Sequence, residues 1–179
     1  MRGFAALLLL LLAPQLSDAQ TPRRLQTAAS DKAALLDMKA LADTSNCHSW
    51  NGGDGPCPLD SWEPATEPCG VGWDDFLKGW VGVICVEEGG AVVSVALPDT
   101  GIGGLILPAL GRLLELRYLN LDQNPVRGSV DALSDLVELR SIVLRGSAVF
   151  GGMPALPNLG GNYQLPGRRS EAFTGLVWL

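Results

Sequence analysis

The 179-residue chain is 47% hydrophobic and 18% charged, with 13 Lys and Arg against 19 Asp and Glu and a net charge of −6. That apolar share excludes a chain disordered throughout, and the shortage of basic residues argues against nucleic acid as a partner. The charge is unevenly spread: residues 20–30 sum to +2, 31–99 to −9 and 100–179 to +1.

Residues 1–19 carry Arg2, an apolar run Ala5–Ala13 with six consecutive Leu, and Ser17-Asp18-Ala19 as a small-residue cleavage site. This three-part pattern predicts a secretory signal cut before Gln20. The run is too short to cross about 30 Å of hydrocarbon, and no later segment has eighteen uninterrupted apolar residues, so no membrane span is expected in this chain. Residues 20–30 read as a linker. Ser30 is placed to cap a helix from Asp31 to about Ala42, with Leu35, Met38 and Leu41 on one side. Asn46 to Gly79 is rich in Gly, Pro, Trp and Asp and reads as loops.

All four cysteines, Cys47, Cys57, Cys69 and Cys85, lie in the acidic front. An even count in an exported chain reads as two disulfides, with three connectivities open. The sequential pairs Cys47–Cys57 and Cys69–Cys85 close short loops and are preferred. Zinc is disfavoured because no C-x-x-C pair exists and His48 is the single histidine. No metal and no cofactor are expected.

The second half repeats itself. Leu133, Leu136, Leu139, Ile142 and Leu144 fall under Leu110, Leu113, Leu116, Leu119 and Leu121 at a shift of 23, and the match runs on through Val126/Val149 and Gly128/Gly151. A shift of 24 places Val92, Val95, Leu97, Ile102 and Gly104 under Leu116, Leu119, Leu121, Val126 and Gly128. Three units result. Within each, alternating inward residues predict a strand pairing in parallel with the next coil, and 110–116 and 133–139 are expected to form helical turns on the opposite wall. One long amphipathic helix is ruled out by Pro98, Pro108, Pro125 and Pro154. Residues 160–179 lose register; removing two residues restores a strand at Tyr163–Leu165, and Phe173-Thr-Gly175-Leu is similar to the later part of a unit. The apolar Gly-Leu-Val-Trp-Leu at 175–179 lacks the polar outer face of a capped solenoid, so a truncated product or interrupted gene model is expected.

The pattern L-x-x-L-x-x-L-x-x-L-x-L-x-x-N-x-L-x-G-x-[IV] resembles a leucine-rich repeat of the plant type. Ala33–Leu41, Ser61-Trp62, Glu67-Pro68-Cys69 and W-x-G-V-x-C at 80–85 resemble the N-terminal cap of that family, which includes receptor-kinase and receptor-like ectodomains and polygalacturonase inhibitors. The resemblance covers 31–159. It implies an α/β solenoid: a short coil stack with parallel strands on the concave face and an N-terminal helical, disulfide-stapled cap at 31–90, followed by three repeats at 91–159. It further implies that Leu35, Met38, Leu41, Trp62, Trp80 and Cys85 hide the apolar end of the first coil, and that Asn124 bonds the backbone of the turn. Thr100 and Ser147 stand at the corresponding positions of the other units, so the ladder is expected to be weaker there. Cys69 and Cys85 are sixteen apart, with Gly-Val-Gly-Trp-Asp-Asp-Phe inserted, wider than the family's pair.

Catalytic chemistry is not indicated. The carboxylates of Asp74-Asp75 and Glu87-Glu88 diverge on any regular backbone. His48 has no G-x-S-x-G nucleophile to serve, and Gly101-x-Gly103-Gly104 and Gly70-x-Gly72 complete no phosphate loop. The informative surface is the concave face. Its outward positions are Ser94, Ala96 and Pro98, then Tyr118, Asn120 and Asp122, then Ser141, Val143 and Arg145. The last six are the candidate binding residues; the plainer reading of Asp122 and Arg145 is a surface ion pair. The expected function is non-enzymatic: a secreted recognition module for a protein, peptide or glycan ligand. The alternatives are a truncated ectodomain of a receptor-like kinase or receptor-like protein, or an inhibitor of a secreted cell-wall hydrolase. A co-receptor, or self-association through the uncapped C-terminal end, completes the expected partners. The location is extracellular, or the outer face of the plasma membrane if a longer receptor is involved.

Overall fold

The computed structural model describes residues 21–69, 79–86, 90–160 and 162–166. The expectations placed on residues 1–20, on Gly70-Val-Gly72, Asp74-Asp75 and Glu87-Glu88, and on 167–179 lie outside them.

Helix α1 spans Thr21–Leu41. Ser30 is therefore inside the helix and not its cap, a correction to the sequence reading. Pro22 near the start is pre-set for a first turn, and Thr27-Ala-Ala-Ser30 contains no helix breaker ahead of Asp31. Ala34, Leu35 and Met38 are buried, as spacings of three and four along a helix require. Leu41 corrects another expectation: it is 51% exposed. The helix ends on it and the chain turns at once into strand β1 (Ala42–Asp43), so its side chain leaves the buried stripe.

The loops after β1 contain 3-10 turns at Trp50–Gly52 and Pro58–Ser61. Cys47 is bonded to Cys57 and Cys69 to Cys85. Between them Trp62 and Trp80 are buried and stacked, with ring centroids 5.4 Å apart, an arrangement worth about 0.5–1.5 kcal/mol beyond the area it buries. Each indole finds a partner: Trp62 Nε1 donates to Val81 O at 2.9 Å and Trp80 Nε1 to Thr66 Oγ1 at 2.8 Å. Asp31 is buried and its Oδ2 accepts from Val92 N at 2.9 Å, tying α1 to the first coil. Burial pushes its carboxyl above the ordinary 3.8, against the lowering effect of that hydrogen bond.

Strand β2 (Val83–Cys85) pairs antiparallel with β3 (Val92–Ala96). Strand β4 (Gly103–Gly104) pairs antiparallel with β1. Helix α2 (Leu107–Leu110), one turn long, precedes β5 (Tyr118–Asn120), β6 (Arg127–Ser129), β7 (Ser141–Val143), β8 (Ala148–Phe150) and β9 (Tyr163–Gln164). The main sheet has the order β2-β3-β5-β7-β9, and all its pairs except β2·β3 are parallel. The cap thus covers the sheet edge that β3 would otherwise leave open. Val95, Leu119 and Ile142 are in register and buried. Tyr163 joins them beside Ile142, so the slipped fourth unit does supply a strand.

A second sheet pairs β6 with β8 in parallel on the flank. The helical turns of the outer wall come earlier than expected, at α2 and at a 3-10 turn over Val130–Leu133. Pro108 sets the start of the first, and Ser129 Oγ accepts from Asp131 N to start the second. The stretches from 110 and 133 follow as three-residue turns, such as Leu113 N to Leu110 O and Leu116 N to Leu113 O. The core is one continuous stack from Leu35 in the cap to Leu165 in the last coil.

Two glycines join the cap to the first coil. Gly104 has φ +99°, and a Cβ there would lie 2.5 Å from Leu41 O; a Cβ on Gly101 would lie 2.1 Å from Asn46 O. Only a residue without a side chain fits either place.

Candidate functional site on the concave face

Period-two alternation turns Tyr118, Asn120, Ser141 and Val143 away from the core. Register lines them up across the coils. Tyr118 lies between Ser94 and Ser141, and Asn120 between Ala96 and Val143, with Gln164 beyond. Tyr118 is 48% exposed, while Asn120, Ser141 and Val143 are half-buried. Ser94 departs from its expected outward role, being only 9% exposed, because Ile84 and Tyr118 are its neighbours on either side.

Asp122 and Arg145 follow at the carboxyl ends of their strands and bond to each other. Arg145 Nε donates to Asp122 Oδ1 at 3.1 Å and Nη2 donates to Oδ2. The hydrogen bond to Asp122 raises the guanidinium above its usual pKa. Asn120 Oδ1 accepts from Asp122 N at 3.0 Å and so shapes the turn. The face accordingly offers an exposed phenol, small polar groups and one self-neutralised ion pair.

The family model described as leucine-rich repeat N-terminal domain matches residues 28–86. A receptor-like protein kinase of Arabidopsis thaliana, named as inactive, is 33% identical over 104 residues, 58% of this chain and 14% of that protein. Residues 28–86 thus match a leucine-rich repeat N-terminal domain, and the chain is a leucine-rich-repeat solenoid. Among solved structures, the ectodomain of the Arabidopsis receptor kinase HAESA, in complex with an N-terminally extended IDA peptide hormone, is 25% identical with a TM-score of 0.54, covering 78% of this chain and 20% of that one. The same receptor with IDA and a co-receptor is 25% identical at a TM-score of 0.53, covering 76% and 20%. The leucine-rich-repeat protein thus spans a small part of the length of these relatives.

Asn124 is fully buried in this leucine-rich-repeat protein. Its Nδ2 donates to Leu97 O at 2.6 Å and Asp122 O at 3.0 Å, while Oδ1 accepts from Thr100 N at 3.2 Å and Ile102 N at 3.0 Å. Thr100 and Ser147 instead donate to carbonyls three residues back in their own turns, Leu97 O and Leu144 O.

The sequence reading of this leucine-rich-repeat protein passed over Arg117 and Arg140, which precede β5 and β7. The repeated Glu-Leu-Arg at 115–117 and 138–140 was the available signal. Among the described residues no helix is long and apolar enough to cross a membrane, and no group of three or more His, Cys, Asp or Glu could hold a metal ion.

Proposed function

We propose that the chain is an extracellular recognition module, with cap at 31–90 and repeats at 91–159, that binds an extended peptide or protein segment across its concave face. What carries the reading is the open column of Tyr118, Ser141, Asn120 and Val143 on a parallel sheet, a surface of the kind solenoids use for partners. The peptide-bound receptor ectodomains to which the chain is similar support a peptide as the ligand class. The reading is non-enzymatic: the Asp122 carboxylate is engaged by Arg145, and His48 Nδ1 lies 2.8 Å from Asn46 O in a cap loop. An array of extended peptides screened with the wild type and with Tyr118→Ala tests it. Binding of a subset of peptides that Tyr118→Ala loses is expected, since exposed tyrosines make strong anchors. Equal capture by both proteins, at equal melting temperature, would refute the concave site.

A further inference from the structure

Among the described residues Trp50 differs from the other tryptophans of the cap. Trp62 and Trp80 are buried and bonded through their indoles, whereas Trp50 is 42% exposed and its indole has no hydrogen-bond partner. It stands in the 3-10 turn Trp50–Gly52, on the loop that Cys47–Cys57 closes. Two backbone bonds fasten that loop to the first coil: His48 N donates to Thr100 O at 2.9 Å and Gly52 N to Asp99 O at 3.1 Å. Gly52-Gly53-Asp54-Gly55, which follow, carry one side chain between them and leave the turn open to an approaching partner.

Asp99 brings a carboxylate to the same turn. Its Oδ2 lies 3.4 Å from the point a Cβ on Gly52 would occupy, and Gly52 is about 4 Å from Trp50 along the turn axis. Among the described residues no donor and no cation engages that carboxylate. Lys32 is held by Glu67, Lys39 by Trp62 O, Arg112 by Asp37 and Arg145 by Asp122. Residues 31–99 sum to −9, so the field around the loop draws cations toward it.

We propose that Trp50 and Asp99 form a site for a cationic side chain, an arginine presented by a partner protein. An indole face attracts a cation more strongly than any other aromatic side chain does. A guanidinium suits the pair better than an ammonium, because its flat face stacks on the ring while its N–H fork reaches a carboxylate. The disulfide and the two backbone bonds hold ring and carboxylate in place before the partner arrives, which lowers the cost of ordering them. The site lies at the seam between cap and first coil and does not rest on the concave-face reading.

The test follows the Trp50 indole N–H of the ¹⁵N-labelled full chain by NMR at neutral pH and constant ionic strength, the resonance being assigned by its loss in Trp50→Phe. The probes are acetyl-Gly-Arg-Arg-Gly-amide, its neutral citrulline counterpart, spermidine and cellotetraose. The arginine peptide should shift the resonance saturably and the citrulline peptide should not. Asp99→Asn should weaken binding about tenfold or more at an unchanged melting temperature, since Asn tolerates the left-handed backbone of residue 99 (φ 48°). Trp50→Ala truncates an exposed ring and should weaken binding as well, read at the Gly52 amide. No saturable shift below about 10 mM, equal shifts from the two peptides, or unchanged affinity in either variant would overturn the site. Spermidine binding about tenfold tighter than the arginine peptide would overturn a partner's arginine in favour of a free polyamine. A saturable response to cellotetraose in place of the arginine peptide would overturn the cation in favour of a sugar stacked on the ring.

Discussion

Replacing Asn124 by Ala would remove the side chain that links the first two coils through their turns. The carbonyls it serves keep other donors: Leu97 O retains Thr100 Oγ1, and Asp122 O retains Asp99 N at 2.7 Å. The two N–H groups it satisfies, on Thr100 and Ile102, are left with no acceptor in a buried turn. At about 1–3 kcal/mol for each unpaired buried donor, the loss comes to roughly 2–6 kcal/mol. For a chain of this size that corresponds to a fall in Tm of at least about 5 °C. Thermal unfolding followed by circular dichroism reads it directly. Ser147→Ala supplies the comparison, because that hydroxyl only donates to Leu144 O within its own turn, and its removal should cost about 1 kcal/mol or less. An Asn124→Ala variant melting within about 2 °C of the wild type, or no lower than Ser147→Ala, would refute the inter-coil role.

Two further predictions concern the cap. The Cys69–Cys85 bridge closes a separation of 16 residues, so a Cys69→Ser/Cys85→Ser variant should lose about 3 kcal/mol in urea unfolding, and an unchanged midpoint would contradict a structural role. Asp31 binds its proton more tightly in the native state than in the unfolded chain, so its contribution is favourable below the unfolded pKa and is lost as pH rises through the native one. Asp31→Asn keeps an oxygen for Val92 N and cannot ionise; its Tm relative to the wild type should climb as pH rises above the ordinary carboxylate value of 3.8, and a flat or falling difference would contradict the burial argument.

The coils were legible in the sequence because a solenoid repeats the same burial at the same interval. Val95, Leu119 and Ile142 had to face inward once the shift of 23 or 24 was found, and Tyr118 and Asn120 had to face out. The cap was legible less evenly, since its burial depends on contacts made once only. Leu41 has the right spacing from Leu35 and Met38 but sits on the last residue of the helix, where spacing no longer decides direction. Asp31 looked like an ordinary first-turn acid, yet it is buried because Val92 N, 61 residues away, needs an acceptor. Ser94 has an outward position in its own strand, and its loss of surface comes from Ile84 and Tyr118 on the flanking strands. Arg117 lay outside the reading for a related reason: its unpaired Nε is a property of the neighbouring coil, which periodicity along one strand does not report.

The seam at Gly101 and Gly104 bears on how such proteins can be recombined. With the Asn46 and Leu41 carbonyls occupying the space a Cβ would need, the cap fits its first coil as a key fits one lock. Farther along the contacts are mixed: a Cβ on Gly111 would lie 2.0 Å from Ala132 O of the next coil, whereas one on Gly128 would meet only the tip of Leu105 at 3.5 Å. Shuffling of repeats therefore has to respect two seams: cap and first coil, and the turn at Gly111 with the turn at Ala132 of the next coil, each have to be inherited, or transplanted, as one piece.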